Sequence, residues 1–184
     1  MKDLQAEGQF GNALILSAFN YAEGRICGVE LTTSYHTEHL STCTNLAYSS
    51  AKGREVVTGQ FNFDPDELDY IATHWVHLDH EQRWAGSAGI SYRWAAATFS
   101  ADAVYGSGLR RGFANTDNLP SYLQINLAVG HDFNVPGFGK LNGRLSLVNG
   151  LDRSYQLRDG SGIGVGAPQF GPRRAFYVSV RKEY

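Results

Sequence analysis

Three histidines and an aspartate stand close together at His74-Trp75-Val76-His77-Leu78-Asp79-His80. Imidazole and carboxylate are the donors of a zinc site, so this stretch is the best equipped for hydrolytic chemistry. A His-x-His-x-Asp-His ligand set, however, needs histidine where Trp75 stands. On an extended backbone His77 and Asp79 share one face while His80 points to the other, so the local chain does not converge them. His74 and His77 are instead expected as contacts for a ligand in an exposed loop. Gly162-x-Gly164-x-x-Ala167 fits a loose dinucleotide fingerprint, yet Pro168 follows at once and no βαβ unit precedes it. A glycine-rich loop is expected there, and no cofactor. Asp64, Asp66, Glu67 and Asp69 crowd around Pro65 without the spacing of a calcium loop. No metal is expected. Serines are plentiful, but none sits in a nucleophile elbow, and only His39 and Asp102 offer a pair at a strand rim. Arg110, Arg111, Arg173 and Arg174 make two basic doublets, fit either for an anionic ligand or for a solvated face.

The elements that must position these residues are strands. The chain has 184 residues, 16 basic and 18 acidic, with a formal charge of -2. That balance lacks the basic footprint of a nucleic-acid binder. Helical periodicity is weak, and period-two segments recur at 13–21, 27–35, 40–50, 83–93, 97–105, 122–133, 140–148 and 175–184. Leu123, Ile125, Leu127 and Val129 alternate with Gln124, Asn126, Ala128 and Gly130. Small side chains such as Ala85, Ser87, Gly89 and Ser91 line the polar face of another strand, leaving room for something else to occupy. A charge in mid-strand such as Arg144 must meet water or a partner, because an unpaired buried charge is costly.

Connections alternate between short (36–39, 94–96, 134–139) and long (51–82, 106–121, 149–174). Tight joints at one end and loose ones at the other describe an up-and-down antiparallel meander with its loops sorted to one side. Outer-membrane barrels are built that way. Tyr21, Tyr48, Tyr92, Trp94, Tyr105, Tyr122, Phe133, Tyr155, Phe176 and Tyr184 fall mostly near strand ends, where a lipid interface favours aromatic rings. Mean hydropathy is -0.30, with no helical membrane span and no signal-peptide core at the start. A barrel strand escapes such averaging because only alternate residues face lipid. Pairing the second and third strands symmetrically about residues 36–39 sets Cys43 opposite Thr32 and Cys27 roughly 16 Å away along the strand. Free thiols are expected.

Leu119-Pro120-Ser121-Tyr122-Leu123-Gln124-Ile125-Asn126-Leu127, followed by Leu147-Val148-Asn149-Gly150-Leu151-Asp152-Arg153-Ser154-Tyr155, resembles the closing region of a TonB-dependent outer-membrane receptor. In that family a late strand ends in an Asn-Leu-Phe-Asp-x-x-Tyr-like segment. Asn149, Asp152 and Tyr155 match it, while Gly150 and Leu151 depart. Asn45–Gly53, Leu78–Gln82, Tyr105–Arg110 and Leu157–Arg174 are similar to one branch of these receptors, so the resemblance runs from about Gly11 to Tyr184. It implies residues 1–10 as an extension and 11–184 as an all-β, C-terminal segment of an antiparallel transmembrane barrel, about eight strands of a partial barrel. It also implies a non-enzymatic role in uptake of a scarce ligand, siderophore-like or another small nutrient, with no transport by the segment alone. The plug, TonB box and signal peptide of the family have no counterpart in the chain. Implied partners are outer-membrane lipid, the barrel-assembly machinery, and the plug and remaining strands of a full-length relative. Glu30, Asp102, Gln124, Asn126 and Arg144 are then expected to face the lumen. His74, His77, Arg110, Arg111, Arg173 and Arg174 are expected as outer-loop ligand contacts. Phe176, Val178, Val180 and Tyr184 resemble the family's assembly signal, from which Lys182 departs. A stand-alone eight-stranded pore or small-ligand barrel, and a soluble β-rich interaction protein, are the alternatives.

Overall fold

The computed structural model describes residues 20–57, 63–160 and 168–182. Seven long strands make one antiparallel sheet: β1 (Tyr21–His36), β2 (Leu40–Val56), β4 (Trp84–Trp94), β5 (Ala97–Gly106), β8 (Tyr122–Val135), β9 (Gly139–Val148) and β12 (Ala175–Lys182). Each pairs with the next in chain order, and the short β3 (Val76–His77) pairs with β2 beyond β4. Among the described residues β1 and β12 are the sheet's edges. The meander expected from the loop lengths is therefore present. Its short turns lie at 37–39, 95–96 and 136–138, and its long connections all leave from the opposite end.

The expected strands agree within two residues except in the first hairpin, where β1 opens six residues before the expected Cys27 and β2 closes six residues after the expected Ser50. Of the segment Ala13–Tyr21, residues 13–19 lie outside the described residues, and Tyr21 opens β1. Tyr184 of the assembly signal lies outside them too, as do Gly162, Gly164 and Ala167. The β1–β2 register differs from the symmetric pairing: Cys43 stands opposite Ser34 and Cys27 opposite Ser50. Leu40 closes the turn against Thr37, accepting its N–H and donating to its hydroxyl, which sets the pairing two residues over. The cysteines sit on opposite faces and are both free.

The long connections hold structure that the sequence reading assigned to loop. Asp64 precedes α1 (Pro65–Thr73), with Pro65 in its first turn and Asp66 and Glu67 beside it. Proline there forfeits no helical hydrogen bond, and carboxylates favour the positive end of the helix dipole. The acidic cluster is thus a helix start. A 3-10 turn (Phe113–Asn115) lies between β6 (Arg110–Arg111) and β7 (Asp117–Asn118), and β10 (Gln156–Arg158) pairs with β11 (Gln169–Phe170). Phe63, Ile71, Val76 and Ala114 form a small core there, joined by Tyr21, Val56, Leu68 and Tyr70. This cap over one end holds nearly all of the buried apolar side chains among the described residues; the sheet itself encloses no core.

Candidate functional site

Directly paired residues in an antiparallel sheet share a face, so the register sorts every strand. One face carries Val29, Leu31, Leu46, Ile90, Leu127, Val129, Leu145, Val178 and Val180. These rows meet no opposing layer: Val29 is 73% exposed, Val180 70% and Val178 79%. Tyr35, Tyr92, Trp94 and Phe133 stand on this face toward the short turns. Tyr48, Trp84, Tyr105 and Phe176 stand on it toward the long connections, with Tyr48 and Trp84 at 4.9 Å. Aliphatic side chains therefore lie between two aromatic rows. Three of the aromatic positions read from sequence do not join them. Tyr21 packs into the cap core, while Tyr122 and Tyr155 stack at 4.6 Å on the other side of the sheet.

The second face is small and polar. Glu30, Asp102, Gln124, Asn126 and Arg144 all belong to it, with Cys43, Ala47, Ala85, Ser87, Gly89, Ser100 and Ala128 between them. Its groups satisfy one another: Asn126 donates to Asp102 at 2.6 Å, Gln124 donates to Asn126 at 2.8 Å, and Arg144 donates to Ser146 at 3.2 Å. Asn142 donates to Asp132 at 2.6 Å. His39 lies in the β1–β2 turn, away from the Asp102–Asn126 pair, and the two make no catalytic arrangement.

The motif residues Asn149, Asp152 and Tyr155 tie the cap to this face. Asn149 is fully buried, donating to the carbonyls of Arg153 and Pro172 at 2.9 Å each. Its Oδ1 accepts from Arg153 N–H at 3.3 Å, and its own N–H donates to Asn126 at 2.9 Å. Asp152 accepts two bonds from the Arg173 guanidinium, at 2.9 and 2.8 Å, and one from the Arg174 amide at 3.0 Å. Those bonds hold its carboxyl well below the usual range. The Tyr155 hydroxyl donates to Gln124, and its ring occupies the space that a Cβ on Gly171 would need. One asparagine thus joins the ends of β8 and β9 to the approach of β12. Asn149→Ala is expected to destabilise the fold by about 1–3 kcal/mol through unpaired carbonyls, with further strain because its φ is 47°. Comparing the urea midpoints of Asn149→Ala and Asn149→Gly in micelles checks it; a neutral glycine variant would reduce the role to backbone geometry.

The expected loop contacts are brought together only in part. Glu81, with a fully buried side chain, accepts from Arg110 at 3.5 Å and bonds His77. Asn115 donates to the His77 carbonyl at 2.9 Å. Asp79 pairs with Arg158, with His80 at 3.2 Å. His74 stacks on Tyr70 at 4.1 Å, and Arg111 lies opposite Asp117 in the β6–β7 pair. Arg173 and Arg174 are held by Asp152, away from Arg110. Among the described residues no three of His, Cys, Asp and Glu converge as a metal site. Sequence reading gave Glu81 no role of its own; its neighbours concealed that it is the carboxylate to which His77 and Arg110 are bound.

Burial is the main cause pushing the His77 imidazole below its ordinary range, with Arg110 adding to it against the pull of Glu81. A depressed histidine favours the folded cap while neutral. That stability is present above the unfolded pKa of about 6.5 and is lost as pH falls toward the lower folded value. Asp79 acts oppositely: burial raises it despite Arg158, so its protonation at acid pH favours the fold. Amide exchange of the cap is expected to accelerate as pH drops below 6.5, once corrected for intrinsic rates, and His77→Gln is expected to flatten that rise. An unchanged profile in His77→Gln would place the sensitivity elsewhere.

No family model and no curated protein matches the chain. Among solved structures it is similar to the crystal structure of the siderophore receptor PiuA from Acinetobacter baumannii, with a TM-score of 0.64 at 18% identity. The match covers 88% of this chain and 22% of the receptor chain, so the chain spans under a quarter of that protein's length. The likeness is one of β-sheet fold.

Proposed function

We propose that the chain forms part of the wall of a TonB-dependent outer-membrane receptor, as the closing strands of its barrel. The observation that carries this reading is the exposed apolar face, which runs across all seven long strands between two aromatic rows with no layer packed upon it. In water such a face would be a large association-prone patch; in a bilayer it is the surface lipid requires. The sorting of the long connections to one end and the fold-level similarity to a siderophore receptor support the same reading. On this reading Glu30, Asp102, Gln124, Asn126 and Arg144 face the interior, and the cap belongs to the outer mouth. The cargo class is a scarce small nutrient, siderophore-like or otherwise. The segment contributes wall and mouth but does not transport alone, because such receptors receive inner-membrane force through a plug and TonB box.

The role is structural and receptive rather than catalytic. The similar solved structure is a siderophore receptor. The test is insertion of the full chain into phosphatidylcholine vesicles. The expected result is co-flotation with lipid and protection of the sheet from protease while the cap stays accessible. Recovery as a stable soluble monomer without lipid would overturn the reading. A discrete heat-modifiable band with single-channel activity would identify a closed small barrel instead. Among the described residues such closure needs β1, of 16 residues, to pair along β12, of 8, leaving much of β1 unpaired.

A further inference from the structure

The apolar face changes character abruptly at its loop end. On β1 and β2 it continues past Val29 and Tyr48 through Cys27 and Ser50 to Arg25 and Lys52, which are direct cross-strand partners. Glu23 and Arg54 form the next pair on the same face and bond at 2.6 Å. Trp75, just before β3, lies over this patch, with the Arg25 guanidinium 4.2 Å and the Arg54 guanidinium 5.3 Å from its ring. Three cations thus stand against one carboxylate. The described ion pairs leave Arg25 and Lys52 without an acidic partner.

Height decides what such a patch meets. Lys52 lies four residues beyond Tyr48, which at ~3.3 Å per residue and a tilt of ~40° is about 10 Å of elevation. If the aromatic row marks the edge of the hydrocarbon, the backbone of Arg25 and Lys52 stands just above the headgroups on the lipid side of the wall, and their long side chains reach back to headgroup level. Of the rival basic doublets, Arg110 is held by Glu81, and Arg173 and Arg174 by Asp152. A guanidinium pinned against an indole ring is ordered in advance, and its fork of N–H donors suits phosphate oxygens.

We propose that Arg25, Lys52 and Arg54, ordered by Trp75, form a binding site for the phosphate headgroup of an anionic membrane lipid, on the outside of the wall. This rests on the membrane reading above. The lipid's acyl chains would lie along the apolar rows below, so one molecule satisfies both halves of the surface.

The experiment uses the full chain carrying Trp94→Phe in phosphatidylcholine vesicles, so that emission comes from Trp75 and Trp84 at this end of the wall. Quenching by brominated phosphatidic acid is compared with quenching by brominated phosphatidylcholine. Each basic group near an anionic headgroup favours association by roughly fivefold. The expected result is at least about a fivefold preference for phosphatidic acid. Arg25→Gln/Lys52→Gln should bring that preference close to one, Arg25→Lys/Lys52→Arg should keep most of it, and free inorganic phosphate should leave it unchanged. Loss of the preference on adding inorganic phosphate would overturn the lipid as occupant. Equal quenching by the two lipids would overturn the site while leaving the wall in the membrane. Absence of quenching by either would overturn the membrane reading and the site with it.

Discussion

Replacing Leu127 by arginine is expected to cost about 2–4 kcal/mol of stability in a bilayer, whereas the same change at Ala128 should cost little. The residues are adjacent, and the register alone separates them. Leu127 pairs with Leu147 and Ala101 on the exposed apolar face, while Ala128 pairs with Ser100 and Ser146 on the polar one. If the sheet is a membrane wall, a guanidinium at Leu127 must be carried into hydrocarbon with no partner on the neighbouring strands. At Ala128 it would meet small polar side chains on the face turned away from lipid. Leu145→Arg and Val178→Arg, cross-strand partners on the same face, should behave like Leu127→Arg, as should Ile125→Arg. Reversible urea titration of vesicle-folded protein gives the measurement. Equal penalties at Leu127 and Ala128 would mean that both faces meet the same medium, and the wall assignment would fail.

Most of this two-sidedness was legible in the sequence because a strand needs only period-two alternation to declare its faces. Leu123 to Val129 and Phe176 to Val180 alternate cleanly, and both fall on the apolar side. Where alternation broke, the reading did too. Ala22-Glu23-Gly24-Arg25 shows no apolar rhythm because β1 there stands above the aromatic row, and Ile26 occupies the polar face. The β1–β2 register was missed because the threonine that closes the turn gives no periodic signal.

The cap was less legible for a different reason. Its small core gathers Phe63, Ile71, Val76 and Ala114 from separate connections, so no single segment shows a face. The carboxylates around Pro65 carry the signal of a helix start, but the same residues in the same spacing also read as cation ligands. The motif Asn149, Asp152 and Tyr155 was recognised by its pattern, but its physical content is visible only once Pro172 and Arg173 come alongside. Contacts that span the sheet's outer end leave no local trace in the chain.

The largest single effect is expected at Glu81. Its side chain is fully buried, and it is the carboxylate facing Arg110, whose own side chain is 8% exposed and whose Nε already lacks a described partner. Glu81→Leu leaves that guanidinium buried and uncompensated, at a cost of about 3–5 kcal/mol. The ion pair links the segment after β3 to β6, and Asn115 on the 3-10 turn holds the His77 carbonyl beside it. Opening should therefore be confined to the cap, with the sheet's ladders intact. The population cleaved by trypsin at Arg110 or Arg111 should rise by roughly two to four orders of magnitude, as about 3–5 kcal/mol requires. Removing both charges in Glu81→Leu/Arg110→Leu should recover most of the loss, read at Arg111 and by amide exchange, because an apolar pair of similar volume replaces a buried ion pair at little cost. If the double variant is as open as the single one, the cluster does more than neutralise itself, and Asn115 and His77 become the groups whose packing it maintains.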